Sequence, residues 1–360
     1  MLTCKSPRKV LLVAYYAARR ALPSYSCKFS RHDFTWPQLF ACLVLREHQK
    51  KSYRGIEALL RDVHWCRQIG LRKVPDHNTL CRAFHAIMAT ACLDNILDAL
   101  TRLMRTCRGM GIVVAMDSTY FDTHHHSRHY EFRCRQHASK DRKTANSRRA
   151  AAVRRIPKLI LAVDTSTHLI LAARTRVGGG GDQREFAPLL RGACRRVRIV
   201  RMAVADSGFD AHVNHVIARK ELGVRTLIKA DAGRPGEAVT SPYRRQMKRV
   251  LAGSQAGRPY GQRAQAETTN SMIKRNLGDC LRARSEAARS REQLLRVITH
   301  DVMIMRSARV ETEPVRLSIH KHSSFRENRC VVALLREPLS SPSAASAAKT
   351  PCSSSAPAPP

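Results

Sequence analysis

The larger part of this chain is predicted to be an α/β protein. Short apolar runs rich in β-branched residues, such as Ile112 to Met116 and Arg198 to Ala205, alternate with segments of helical hydrophobic period. Alternation of that kind builds a mostly parallel sheet covered by helices. A purely helical stretch precedes it, and residues 338–360 are nearly all Ser, Pro and Ala.

The elements follow in order. Val10 to Ala18 is apolar and stands behind Lys5, Arg8 and Lys9, which resembles a weak signal peptide. Arg19 and Arg20 follow at once, so an amphipathic first helix is the preferred reading. No apolar run approaches the ~18 residues that span a bilayer. Residues 34–110 read as helical: Leu39, Leu43 and Val44, then Tyr53, Ile56, Leu59, Leu60 and Val63, recur at helical spacing. Pro75 to Thr79 reads as a loop ending in a helix cap, ahead of Leu80, Phe84, Ile87 and Met88. Leu93, Ile96, Leu97, Leu100, Leu103 and Met104 form another helical face. Helices joined by short loops suit a DNA-binding region and a plain bundle equally well.

The period changes at Gly109 to Gly111. Ile112 to Met116 reads as a strand buried on both faces and ending at Asp117. Residues 128–158 carry eleven Lys or Arg against Glu131 and Asp141. Leu159 to Val163, the polar turn 164–167 and His168 to Ala173 predict a hairpin. A Gly run at 178–181 leads into a helix over 185–193, then a strand over 198–205 ends at Asp206. A helix over 211–222, a strand over 225–228, and helices over 263–277 and 292–305 complete the pattern. The tail at 338–360 cannot bury enough apolar surface to offset its ordering entropy, which predicts disorder.

Composition narrows the function. Lys and Arg number 64 against 28 Asp and Glu, a formal net charge of +36. Such self-repulsion is tolerable where a polyanion neutralises it, so nucleic acid is the first partner and anionic membrane the second. An enzyme for small neutral metabolites is disfavoured. With 43% hydrophobic residues the chain can build a core, which excludes an acidic disordered protein. The twelve cysteines form no CxxC pair and are irregularly spaced. Free thiols in a reducing cytoplasm explain them better than a disulfide framework or a Cys/His zinc site.

The scarce carboxylates carry the chemistry. Asp117 and Asp206 each follow an apolar strand pattern, and functional groups cluster at the carboxyl ends of strands. Two neighbouring carboxylates repel unless a divalent cation or a shared proton compensates. A pair of Mg²⁺ ions suits hard oxygen ligands and a phosphodiester. The bland alternative is that each Asp merely caps a loop. On the helix over 263–277, Arg263, Glu267 and Lys274 fall along one stripe, which points a carboxylate and two cations the same way. A surface Arg–Glu pair is the bland reading there. His124, His125 and His126 with His129 could ligate a transition metal, but consecutive histidines do not share a helical face, and phosphate contact is the favoured role. Asp122 is an alternative carboxylate that ends no strand. Gly178 to Gly181 lacks the Gly-Lys-Ser/Thr of a phosphate-binding loop. With 5% aromatic residues, single-strand stacking is poorly supported.

Asp117, Asp206 and the run Tyr260-x2-Arg263-x3-Glu267-x6-Lys274 together resemble the DDE transposases of bacterial insertion sequences. Ala205 to Asp210 followed by Asn214-His215, Asp182 followed by Glu185 to Leu190, Tyr243 to Met247 and Arg296 to His300 agree, so the resemblance spans about 35–308. It implies an RNase H-like catalytic core over 111–310. A helical DNA-binding region over 34–110 and an N-terminal extension over 1–33 come before it. A C-terminal extension over 311–337 and the disordered tail over 338–360 come after it. It implies that Asp117, Asp206 and Glu267 hold two Mg²⁺ or Mn²⁺ ions, and that Tyr260, Arg263 and Lys274 meet DNA. The implied partners are double-stranded transposon ends and target DNA, bound by a homodimer in the cytoplasm with no membrane role. Two rivals stand beside it: a catalytically inactive or domesticated DNA-binding protein, and a metal-dependent nuclease without strand transfer.

Overall fold

A computed structural model describes residues 3–89, 92–104, 111–123, 156–230, 241–253 and 257–305. The first helix, α1 (Pro7–Ala21), is the amphipathic one expected. It buries Val10, Leu11, Ala14, Ala17 and Ala18 and leaves Arg19 and Arg20 exposed in its last turn. Helix α2 (Trp36–His48) starts from a capping box in which Thr35 and Gln38 satisfy each other's backbone N–H groups. It is buried over most of its length, down to Glu47. Helix α3 (Tyr53–Asp62) and a 3-10 turn (Trp65–Ile69) lead to α4 (His77–Ile87). The cap foreseen in the 75–79 loop is Asp76, whose carboxylate accepts from the Thr79 N–H at 2.6 Å. Helix α5 (Cys92–Leu103) ends the helical segment.

The central sheet has five strands: β1 (Ile112–Tyr120), β3 (Pro157–Asp164), β4 (Ile170–Val177), β5 (Val200–Ala205) and β6 (Arg225–Ile228). Their spatial order is β4-β3-β1-β5-β6. β3 runs antiparallel to both β1 and β4, while β5 is parallel to β1 and β6 is parallel to β5. Counted within this sheet the order is 3-2-1-4-5 with the second strand reversed, the RNase H-like arrangement. All eight positions of β3 are buried because it lies inside the sheet with helices on its faces.

Helix α6 (Gln183–Arg196) crosses from β4 to β5. After β5 comes a 3-10 turn (Ser207–Phe209), then α7 (His212–Val216), which runs into a π-helical turn (Ile217–Glu221). Helices α8 (Pro242–Ala252), α9 (Gly257–Gly261), α10 (Ala264–Leu277) and α11 (Glu286–Ile304) complete the described chain. A two-stranded parallel pair joins β2 (Asp122–Thr123) to β7 (Cys280–Leu281) beside the C-terminus of α10. One apolar core runs without a break from α1 to α11.

The structure differs from the sequence reading in several places. β1 does not end at Asp117 but continues to Tyr120, because its antiparallel partner β3 keeps pairing as far as Lys158. On the other side the parallel ladder with β5 does end at Met116 opposite Ala205. The segment after β5 is not one α-helix but an α turn and a π turn. Helix α11 starts at Glu286, six residues earlier than expected, from a Ser285 cap that accepts from the Ala288 N–H. Helix α8 and the β2–β7 pair were not foreseen. Cys4, Cys27, Cys42, Cys66, Cys81, Cys194 and Cys280 are free, with Cys4, Cys42 and Cys66 buried. Several expectations lie outside the described residues: the His124–His126 and His129 cluster, nearly all of the basic connection at 128–158, and everything over 306–360. No helix among the described residues is long and apolar enough to cross a membrane.

Candidate active site

The sheet topology sets two aspartates side by side. Met116 and Ala205 are register partners in the parallel β1–β5 ladder, so the next residues, Asp117 and Asp206, stand together where that ladder opens. This is the carboxyl-end crevice at a topological switch point, because the chain builds outward from β1 to β4 on one side and then returns to add β5 and β6 on the other. Asp206 caps the 3-10 turn, its Oδ1 accepting from the Gly208 N–H at 3.0 Å. A Cβ at position 208 would come within 3.1 Å of that oxygen, a crowded contact that glycine avoids.

Asp117 is half-buried, and Asn270 Nδ2 of α10 donates to its Oδ2 at 2.9 Å. Burial pushes the Asp117 carboxyl above its ordinary value. The Ser118 backbone N–H and Asn270 pull it back, and the negative charges of Asp206 and Glu267 push it up further. The three acidic groups therefore share one electrostatic neighbourhood. Glu267, in the first turn of α10, is half exposed and paired with Arg263 Nη1 at 2.5 Å. Arg263 also feels Asp117 and Tyr260, which with Glu267 raise its guanidinium despite partial burial.

Tyr260 packs against the small apolar cluster of Val204, Leu227 and Met247 behind β5 and β6. Its phenol is raised by burial, with Asp206 and Glu267 adding to the effect against Arg263. Tyr260 thus sits within the field of the carboxylates. Lys274 lies two turns further along α10 than Glu267, with its ammonium over the Phe121 ring, 5.6 Å from the centroid. Phe121 also carries Arg296 on its ring at 5.5 Å. Arg296 in turn donates to the carbonyls of Gly278 and Cys280, fixing the chain where α10 ends.

Sequence reasoning did not assign roles to Asn270, Ser118 or Lys158. Asn270 was within reach, because it lies three residues after Glu267 and so faces the same side of α10. The other two are discernible only from the packing of β1 on β3 and α6.

The donor chemistry fits divalent cations. Carboxylate oxygens are hard ligands, Asp117 is held against two like charges, and Asn270 Oδ1 beside it is buried without a hydrogen-bond partner. Yet among the described residues no three His, Cys, Asp or Glu side chains converge closely enough to hold a metal as they stand. Glu267 is engaged by Arg263 instead.

The sheet order, with helices on both faces, defines an RNase H-like core. Residues 108–301, more than half of the chain, match the family described as Transposase DDE domain, and the chain belongs to that family. It is a transposase, an enzyme of DNA recombination that binds and cleaves nucleic acid, in a family that generally uses divalent metal ions. No curated protein matches the chain.

Proposed function

We propose that this chain mobilises an insertion sequence, cutting phosphodiester bonds at the element's ends and joining the freed 3′-OH to target DNA. The observation that carries this reading is Asp117 beside Asp206 at the open end of the β1–β5 ladder, with Asp117's carboxyl raised by burial and, to a lesser extent, by the acids Asp206 and Glu267. Asp117, Asp206 and Glu267 would hold two Mg²⁺ or Mn²⁺ ions. Metal bound there supplies an activated nucleophile and charge stabilisation for the leaving oxygen.

The remaining work falls to the chain itself. Asn270 holds one Asp117 oxygen and so fixes that side chain's rotamer. Gly208 holds an Asp206 oxygen in the same way. Arg263 neutralises Glu267 until Glu267 engages a cation, and its fork then becomes available to a DNA phosphate. Lys274 offers a point charge further along α10, and Tyr260 lines the approach to the carboxylates. Holding two ends at once calls for a homodimer on DNA, acting in the cytoplasm at the nucleoid.

The test uses a supercoiled plasmid that carries the coding element with its flanking DNA. In Mg²⁺ or Mn²⁺ the wild type should nick it. Glu267→Gln and Asp206→Asn should bind DNA but lose nicking, and full activity in either would overturn the site. A wild type that binds without nicking would favour an inactive or domesticated protein. Precut ends that never join target DNA would favour a nuclease.

A further inference from the structure

Asp182 is the N-cap residue of α6, yet its side chain makes no capping hydrogen bond to its own helix. An Asp in that position ordinarily does so, and the bond stabilises its helix. Instead it turns inward and is 5% exposed. Oδ2 accepts from Ser118 Oγ at 2.7 Å, and Oδ1 pairs with Lys158 Nζ at 2.5 Å. The Asp182 backbone N–H donates to the Gly208 carbonyl at 3.2 Å.

Each of these contacts leads to the candidate site. Ser118 follows Asp117 on β1. Gly208 is the residue whose N–H holds Asp206. Lys158, on β3 and directly opposite Tyr120 of β1, is 4% exposed, and it also donates to the Gly180 carbonyl at the start of the α6 approach. A lysine buried inside the sheet needs a carboxylate partner, and Asp182 is that partner.

We propose that Asp182 is a positioning residue. Its backbone N–H on Gly208 and its carboxylate on Ser118 clamp the segments bearing Asp206 and Asp117 at a fixed separation, and Lys158 holds the carboxylate arm in place. This inference rests on the proposed triad. It adds the mechanism by which two repelling carboxylates are kept adjacent before any cation binds. Partners of this kind, one bond removed from the ligands, typically account for 10–100-fold in metal affinity or activity.

The test measures Mn²⁺ binding to the full-length protein from the free-Mn²⁺ paramagnetic resonance signal, alongside plasmid nicking, DNA binding and melting temperature. Asp182→Asn keeps an oxygen for Ser118 but removes the charge facing Lys158. Its Mn²⁺ affinity should fall about 10-fold and nicking about 10–100-fold, with DNA binding retained. Ser118→Ala deletes a single hydrogen bond, so it should fold and shift Mn²⁺ affinity in the same direction. The double variant Asp182→Asn/Lys158→Gln removes the unpaired lysine and should recover melting temperature without recovering Mn²⁺ affinity. Recovery of both would reduce Asp182 to a structural ion pair and overturn the proposal, as would wild-type Mn²⁺ affinity in Ser118→Ala and Asp182→Asn together. Asp206→Asn run in parallel separates the two levels. If it binds Mn²⁺ and nicks normally, the triad itself fails. If it fails to do so while the clamp variants behave as wild type, only the clamp falls.

Discussion

At the residue scale, Asp117 shows how the fold loads its own site. Its carboxyl is raised by burial and by two neighbouring acids, so the folded protein holds that proton more tightly than the unfolded chain does. The stability it contributes is complete below the ordinary carboxylate range and is lost as pH rises through the raised folded value. At neutral pH without metal, Asp117 therefore weighs against folding. Asp117→Asn, which keeps an oxygen for Asn270, should melt a few degrees above wild type in chelator. Adding Mg²⁺ should raise the wild-type melting temperature and leave the variant's unchanged, since a ligand stabilises only the state that binds it. A variant melting at or below wild type in chelator would refute the argument. Asn270→Ala removes the donor to Asp117 Oδ2 and should lower nicking about 10–100-fold while DNA binding persists, as an electrophoretic shift would show. Both aspartates were discernible in the sequence because each follows an apolar run. Asn270 shares Glu267's side of α10, but its bond to Asp117, 153 residues away in sequence, shows only in the fold, as do the contacts of Asp182 with Ser118 and Lys158.

At the element scale, most helices and strands were legible because their apolar spacing matches one buried face. Helix α2 is the informative exception within that success. Its period marks Leu39, Leu43 and Val44 for the core, and Arg46 and Glu47 would pass for surface residues. Both are buried, because α2 packs against α11 and the two helices share a charge network. Glu47 contacts Arg46, Arg282 and Arg296, and Arg296 reaches Glu292 at 2.8 Å. Glu47's carboxyl is held below its ordinary value: burial opposes ionisation, but Arg46, Arg282 and Arg296 together outweigh it. The same Arg296 ties down the end of α10, so the network links the helical segment to the helix that bears Glu267. Removing one member leaves buried guanidinium groups uncompensated. Glu47→Ala should cost about 3–5 kcal/mol in urea unfolding. A loss below about 1 kcal/mol would mean that the network is solvated and that α10 is held by other contacts. The β2–β7 pair belongs to the same scale, since two residues per strand are too short to show a period.

At the scale of the whole molecule, the +36 charge and the carboxylate cluster act on one another. Many of the acids described are spent in ion pairs with arginine, such as Glu57 with Arg61, Glu185 with Arg174 and Asp94 with Arg195, which leaves a large unpaired positive excess. DNA phosphates that neutralise this excess release counterions, so the logarithm of affinity should fall linearly with the logarithm of salt concentration. The site modifies that slope in a definite direction. In chelator, Glu267 occupies Arg263 and withholds one cation from DNA. Glu267→Gln frees that guanidinium, so metal-free DNA binding should tighten and the salt slope should steepen by about one phosphate contact. Among the described residues Lys274 shows no carboxylate partner drawing it away in the same manner: it rests on the Phe121 ring with its charge still available. Lys274→Gln should therefore weaken binding and make the slope shallower by about one, uniformly across DNA sequences. Fluorescence anisotropy of a labelled duplex over a salt series reads both effects. Opposite shifts from two residues on one helix would place DNA along α10. Equal slopes in all three proteins would move the DNA path off α10, and a slope near zero in the wild type would sever the link between the net charge and the partner.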